Sequence, residues 1–150
     1  MMTRTIHQEF FYPNPVEDVW DFLTKPDLLA QWLMPNDFKP VVGHDFSFRT
    51  KPIPQLNLNG IMICKVVTVE PLMELSYTWK GGPAEGILGF DTLVVWKLDQ
   101  KEDGTILRLE HSGFHEVNNF DLFLAMLSGW SANLKKMRDR LDAVVGGATF

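Results

Sequence analysis

The sequence predicts an α+β fold in which one long C-terminal helix packs against an antiparallel sheet of about six strands. Apolar residues recur in steps of three and four over residues 120–144, and residues at that spacing share one face of an α-helix. The stripe consists of Phe120, Phe123, Leu127, Trp130, Leu134, Met137, Leu141 and Val144. Several strand-like runs precede it, and no second helical pattern of comparable length occurs. A sheet is therefore the expected partner of a stripe about 37 Å long.

Length and composition indicate one globular domain over residues 1–150. Hydrophobic residues make up 45% of the chain and charged residues 22%, as in ordinary folded domains. The net charge of -5, with no basic run longer than Lys135–Lys136, disfavours binding to nucleic acid.

Cysteine content and hydropathy predict a cytoplasmic protein. The single Cys64 cannot form an internal disulfide and lies in an apolar, strand-like segment, which favours a reducing compartment. The N-terminus lacks an apolar segment of signal-peptide length, and no apolar run approaches the roughly 20 residues of a membrane span.

The first third of the chain predicts one strand and two short helices. Residues 4–12 alternate loosely between polar and apolar and end at Pro13, as a strand followed by a turn would. Pro15 suits the first turn of a helix, and residues 27–33 form a second short helical pattern that Pro35 terminates.

Five further strand-like segments follow, at residues 45–50, 60–70, 74–79, 92–98 and 105–112. Glycine- and proline-rich turn signals separate them, and short links between consecutive strands favour antiparallel pairing. Asn118 or Asn119 can cap the final helix, and Gly146–Gly147 are expected to end it.

Alternation along these strands predicts which side chains face the helix. Arg49, Arg108 and Glu110 fall on the outer face. Residues 60–69 are apolar on both faces, so alternation does not decide their orientation, and we place Ile63, Val67 and Val69 inside. The other inward positions are Phe46, Phe48, Leu75, Tyr77, Trp79, Val94, Trp96, Leu98, Leu107, Leu109 and His111.

Several segments, taken in order, match a known family pattern. They are PVEDVWDFLTKPDLLAQWLMP, VVGHDFSF, VVTVEPLMELSYTW, EDGTILRLEHSGF and SGWSANLKKM. Their most specific residues are Trp20, Thr24, Pro26, Trp32, Gly43, Pro71, Trp79, His111–Ser112–Gly113–Phe114 and Gly129–Trp130. In these features nearly the whole chain resembles the branch of the START-like (SRPBCC) superfamily named after the C-terminal domain of the activator of Hsp90 ATPase.

The resemblance implies the helix-grip fold, in which a strongly bent antiparallel sheet wraps around the C-terminal helix and two short helices connect strands one and two. It also implies an internal apolar cavity, which holds lipids, aromatic metabolites or hormones in various relatives. A minority of the superfamily catalyse cyclisation or dehydration. The chaperone activator has an additional N-terminal domain to which the resemblance does not extend, so stimulation of the chaperone is not expected here.

The candidate ligand-binding residues lie on the predicted inner surfaces: Trp32, Phe48, Tyr77, Trp79, Trp96, His111, Phe123, Leu127 and Trp130. The tryptophans are expected either to form a cage around a flat apolar ligand or, more simply, to fill the core. His111 is the best-placed titratable group on the inner face. It is expected either to hydrogen-bond a ligand or to have its ring nitrogens paired with backbone groups. We expect no catalytic group.

Neither a metal nor a cofactor is expected. His111 and His115 are four residues apart, a spacing that can bind zinc when both residues lie on one helix. Here His111 is predicted at the end of a strand and His115 in a loop, so that geometry is missing. The glycine-rich segment 80–89 has no Gly-Lys-Ser/Thr and no following helix, so it is either a flap over a pocket or a long hairpin connection.

The leading functional hypothesis is non-catalytic binding of a small hydrophobic or amphipathic ligand between sheet and helix. The alternatives are a cyclase- or hydrolase-like enzyme using His111 and a stress-response interaction module with an apolar patch near residues 122–126. A homodimer through the first half of the helix, where Gly129 could admit close packing, is a further hypothesis.

Overall fold

The computed structural model describes the backbone of residues 2–148 and the side chains of residues 2–143. The elements follow the predicted order of one strand, two short helices, five strands and one long helix, with one 3-10 turn at Pro54–Leu56. The strands are β1 (Thr3–Tyr12), β2 (Asp45–Arg49), β3 (Ile61–Glu70), β4 (Glu74–Gly81), β5 (Phe90–Lys101) and β6 (Gly104–His115). The helices are α1 (Val16–Thr24), α2 (Pro26–Trp32) and α3 (Phe120–Ala148).

The six strands form one antiparallel sheet in the order β1-β6-β5-β4-β3-β2. Consecutive strands from β2 to β6 are neighbours because their links are short, whereas α1 and α2 carry the chain from one edge of the sheet to the other. The curved sheet and long α3 confirm the helix-grip prediction. Among residues 2–148, no helix has the length and apolar character needed to cross a membrane.

The second half of α3 packs on the sheet as the stripe predicts. Trp130, Leu134, Met137 and Leu141 are each at most 2% exposed. The hydroxyl of Tyr12, at the end of β1, donates a 2.9 Å hydrogen bond to the backbone oxygen of Leu134 and fixes the helix against that edge. Val144, the last residue of the predicted stripe, lies outside the described side chains.

The first half of α3 differs from the prediction. Phe120 and Leu127 are 39% and 37% exposed, whereas Leu122 is 6% exposed. The buried stripe therefore reaches Trp130 by way of Leu122. The side-chain amide of Gln8, in the edge strand β1, donates to the backbone oxygen of Leu127 at 3.2 Å. The flank of the helix that carries Leu127 therefore lies along the sheet edge instead of over the core.

The predicted orientation of β3 is wrong at two positions. Ile63 and Val67 are 47% and 46% exposed, while Met62, Cys64 and Val66 are buried. A register irregularity between Val66 and Thr68 then returns Val69 to partial contact with the core. Because β3 is apolar on both faces, only its pairing with β2 and β4 decides which face turns inward.

The junction between β6 and α3 is fixed by Asn119. Its side-chain oxygen accepts from the His115 N–H at 2.9 Å, and its amide donates to the Gly89 oxygen at 2.9 Å. Asn119 thus ties the start of α3 to the loop before β5. At the other end, α3 continues to Ala148, so Gly146 and Gly147 do not end it as predicted.

Candidate functional site

Four tryptophans form a continuous cluster between the sheet and the helices. Ring centroids are 6.0 Å apart for Trp32 and Trp96, 5.4 Å for Trp96 and Trp130, and 5.5 Å for Trp130 and Trp79. Each ring is at most 1% exposed. Edge-to-face contacts of this kind are favourable for aromatic rings, so the cluster fills much of the space in which a cavity was expected.

The other candidate residues divide into two groups. Phe48 and Tyr77 are buried and extend the cluster, with the Phe48 ring 4.9 Å from that of Trp79. Phe123, near the start of α3, is half-buried, and its ring centroid lies 5.6 Å from that of Phe114. Leu127 does not join them because it lies on the exposed flank of the helix.

Three of the four clustered indoles have a hydrogen-bond acceptor. Trp32 donates to the backbone oxygen of Phe22, Trp96 to the Tyr77 hydroxyl and Trp130 to Nδ1 of His111, each at 2.9 Å. The Nε1 of Trp79 is buried and has no partner. An unpaired buried N–H costs about 1–3 kcal/mol, which makes this atom the most unusual feature of the cluster.

His111 lies at the centre of a hydrogen-bonded chain of side chains. The Trp130 indole can only donate, so Nδ1 of His111 is the acceptor at 2.9 Å and the ring carries its proton on Nε2. Nε2–H then donates to the Thr92 hydroxyl at 2.8 Å, and that hydroxyl donates to the Trp79 oxygen at 2.7 Å. The tautomer of His111 therefore follows from the chemistry of its neighbours.

Burial lowers the pKa of His111 to about 3, so the ring is neutral at physiological pH. Both ring nitrogens are occupied, so neither lone pair nor proton is free for a substrate. This arrangement does not support the hypothesis of an enzyme that uses His111 as a general base. The partners are side chains, in contrast to the expected backbone partners.

Thr92 is the site residue that the sequence interpretation missed. It precedes Val94 and Trp96 at the same two-residue spacing, so it belongs to the inward face of β5. Alternation along β5 already predicts that Thr92 points inward, but it does not show that the hydroxyl has a buried partner. Its hydroxyl is the link between His111 and the backbone of β4.

Three buried apolar side chains of the core line one surface depression. Leu58, Phe90 and Leu122 are 6%, 5% and 6% exposed, and all three line a depression of about 140 Å³. The loop of residues 82–89 reaches this place through the contact of Gly89 with Asn119. We call Leu58, Phe90 and Leu122 the plug.

The described side chains include no group of three or more His, Cys, Asp or Glu residues arranged to hold a metal ion. Cys64 is buried on the inner face of β3, and burial raises the pKa of its thiol. The thiol is therefore protonated and packs as a small apolar group.

Comparison with known proteins settles the family. The model of the Activator of Hsp90 ATPase homolog 1-like protein family matches residues 13–142, which include the tryptophan cluster and His111. The chain belongs to this family. A comparison with curated protein sequences found no match.

Solved structures of similar proteins share the fold of this Activator of Hsp90 ATPase homolog 1-like chain. Protein MLL2253 from Mesorhizobium loti is 34% identical with a TM-score of 0.82, covering 93% of this chain and 98% of that one. DynU16, a putative protein in the dynemicin biosynthetic locus, is 20% identical with a TM-score of 0.75, covering 92% and 47%. The Aha1 dimer from Colwellia psychrerythraea is 23% identical with a TM-score of 0.72, covering 92% and 96%.

Proposed function

We propose that this protein binds a small, flat, hydrophobic or amphipathic ligand among the clustered tryptophans, without catalysing its conversion. The unpaired Nε1–H of Trp79 is the observation that carries the proposal. A ligand with a carbonyl or hydroxyl oxygen at that position would satisfy the donor, and the surrounding rings would cover its apolar body.

The contacts of Trp79 give the ligand its expected chemistry. Phe48, His111 and Trp130 lie around the indole, with ring centroids between 4.9 Å and 5.8 Å from that of Trp79. The polar atoms of His111 and Trp130 are already hydrogen-bonded, to each other and, for Nε2 of His111, to Thr92, so these rings offer a ligand their faces and edges rather than further hydrogen bonds. An aromatic ketone or quinone with one buried acceptor fits this environment.

In this proposal the ligand enters from the depression lined by Leu58, Phe90 and Leu122, and entry requires this plug to move. Leu58 belongs to the loop after the 3-10 turn, Phe90 begins β5 and Leu122 lies in the first turn of α3, so three separate elements meet there. The connection of Gly89 to Asn119 is one side-chain hydrogen bond, which opening of the 82–89 loop would break.

We expect Trp79→Phe to reduce affinity for an acceptor-bearing ligand by about tenfold, because it removes the N–H and keeps an aromatic ring. Native mass spectrometry with a panel of fatty acids, aromatic ketones and quinones identifies a binder, and fluorescence titration measures its affinity. Trp32→Phe is the matched control, because the Trp32 N–H is already paired with Phe22. If no panel member bound, or if both variants lost affinity equally, the proposal would be wrong.

We also propose that the exposed flank of α3 forms a homodimer. Phe120, Leu124 and Leu127, which share one side of the helix, are 39%, 47% and 37% exposed. An antiparallel pairing of two α3 helices centred on Ser128 would place Asp121 of each copy beside Lys135 of the other. This charge complementarity favours a second copy as the partner, and the Colwellia psychrerythraea Aha1 is described as a dimer.

Leu124→Glu is expected to weaken the dimer by roughly thirtyfold or more, because it places a charge in an apolar interface. Light scattering over a concentration series measures the dissociation. Val67→Glu is the control, since Val67 is 46% exposed on the outer face of β3. A wild-type protein that stays monomeric at high concentration, or equal dissociation in both variants, would contradict the proposed interface.

A further inference from the structure

The hydroxyl group of Tyr77 is a second donor in the tryptophan cluster that lacks an acceptor. The Trp96 indole can only donate, so the 2.9 Å hydrogen bond between the two residues uses the Tyr77 oxygen as its acceptor. The proton of the Tyr77 hydroxyl then has no acceptor among the residues that the structure describes. Tyr77 is 1% exposed, so this proton is also shielded from bulk solvent.

Burial keeps this proton on the Tyr77 oxygen. The apolar surroundings raise the pKa of the hydroxyl because they oppose its charged form. The group is therefore a neutral donor at physiological pH, and ionisation does not remove the unpaired O–H. Like the Trp79 N–H, it costs free energy until an acceptor is placed beside it.

The two unpaired donors belong to neighbouring rings. Tyr77 and Trp79 are two residues apart on β4, so both side chains point to the inner face of the strand. Their ring centroids are 6.4 Å apart, with an angle of 25° between the ring planes. The Phe48 ring lies beside both, at 6.1 Å from Tyr77 and 4.9 Å from Trp79. A flat molecule of two or three fused rings is long enough to contact both residues.

The side-chain acceptors around these rings are already in use within the described part of the chain. The Tyr77 oxygen accepts from Trp96, and Nδ1 of His111 accepts from Trp130. The Thr92 hydroxyl accepts from Nε2–H of His111. A ligand that brought an N–H or O–H would bury that donor without a free side-chain acceptor, whereas ligand oxygens would meet two unpaired donors. The cluster therefore favours a ligand that accepts hydrogen bonds.

We propose that the ligand of the tryptophan cluster carries two acceptor oxygens on one flat apolar frame, one for the Tyr77 hydroxyl and one for the Trp79 N–H, and no donor. This assignment rests on the proposed function, because it describes the ligand of the same site. It makes Tyr77 a specificity-determining residue, which separates ligands with two acceptors from ligands with one. Aromatic diketones and quinones belong to this class, whereas phenols and fatty acids do not.

Three flat tricyclic probes that share one carbonyl test this specificity. Opposite that carbonyl, anthraquinone has a second carbonyl, xanthone has an aromatic ether oxygen, which is a weak acceptor, and acridone has an N–H donor. Quenching of tryptophan fluorescence measures their affinities. Anthraquinone should bind about tenfold more tightly than xanthone, because it makes one more hydrogen bond. Acridone should bind more weakly than xanthone, because its N–H is buried without an acceptor.

Tyr77→Phe removes the hydroxyl and keeps the ring, so the preference for anthraquinone over xanthone should fall to within about twofold. The variant also leaves the Trp96 N–H without its acceptor, but that change affects both probes alike and cancels in the ratio. Tyr12→Phe is the matched control. It removes the other buried tyrosine hydroxyl, which donates to the backbone oxygen of Leu134, and should keep the tenfold preference.

Failure of the two-acceptor assignment and failure of ligand binding itself give different results. Equal affinities for anthraquinone and xanthone, or an unchanged preference in Tyr77→Phe, would overturn the assignment and indicate that Tyr77 donates to a buried water molecule instead. If none of the three probes bound but another member of the wider panel did so in a Trp79-dependent way, the assignment alone would be wrong. If no compound bound at all, the proposed function would be wrong as well.

Discussion

Replacing Trp130 by alanine is expected to destabilise the protein by about 3–5 kcal/mol, the usual cost of removing a large buried aromatic side chain. Trp130 is 1% exposed and contacts the rings of Trp79, Trp96 and His111. Its loss also leaves Nδ1 of His111 without a donor, which adds to the cost. Chemical denaturation followed by circular dichroism gives the change in the free energy of unfolding.

Leu127→Ala is the matched control, one turn earlier on the same helix. Because Leu127 is 37% exposed, its truncation should cost less than about 1 kcal/mol. Added indole should partly restore Trp130→Ala by filling the cavity, and Trp130→Phe provides a milder variant should the alanine variant fail to fold. Equal costs for Trp130→Ala and Leu127→Ala would show that the buried stripe is placed wrongly.

Acidification from pH 6.5 towards pH 3 is expected to destabilise the protein through His111. The pKa of this group is lowered from 6.5 to about 3 in the folded chain because burial opposes its charged form. Below pH 6.5 the unfolded chain therefore binds a proton that the native chain does not. Each pH unit in that window removes up to about 1.4 kcal/mol of stability, and above pH 6.5 the contribution is fully present.

Unfolding free energies measured from pH 7 to pH 5 in the wild type and in His111→Gln would isolate this effect. Glutamine can accept from Trp130 and donate to Thr92 without titrating, so the variant should show a shallower dependence on pH. Leu109→Ala is the control, because it removes a buried side chain of the same strand without changing a titratable group. Parallel pH profiles for the wild type and His111→Gln would contradict the assignment.

The sequence predicts which residues of the candidate site point inward. It does not predict the hydrogen bonds that connect them. Period two along β4, β5 and β6 places Trp79, Trp96 and His111 on the inner face, and helical spacing places Trp130 opposite them. The pairing of Trp130 with His111 joins residues 19 positions apart through the packing of α3 on β6. No local pattern specifies that contact, nor that the Trp79 N–H is left without an acceptor.

The order of strands and helices, and the inward faces of the strands with one apolar side, follow from local periodicity, because helix and strand geometry turn spacing directly into direction. Two other features depended on the tertiary structure. The face of β3 was decided by its register with β2 and β4, since its apolar residues occupy both sides. The exposed flank of α3 was decided by β1, because Gln8 and Tyr12 hold the helix along the edge of the sheet. In both cases two orientations of the element would bury similar apolar surface, so the sequence pattern does not distinguish them. Contacts between residues far apart in the chain determine which orientation forms.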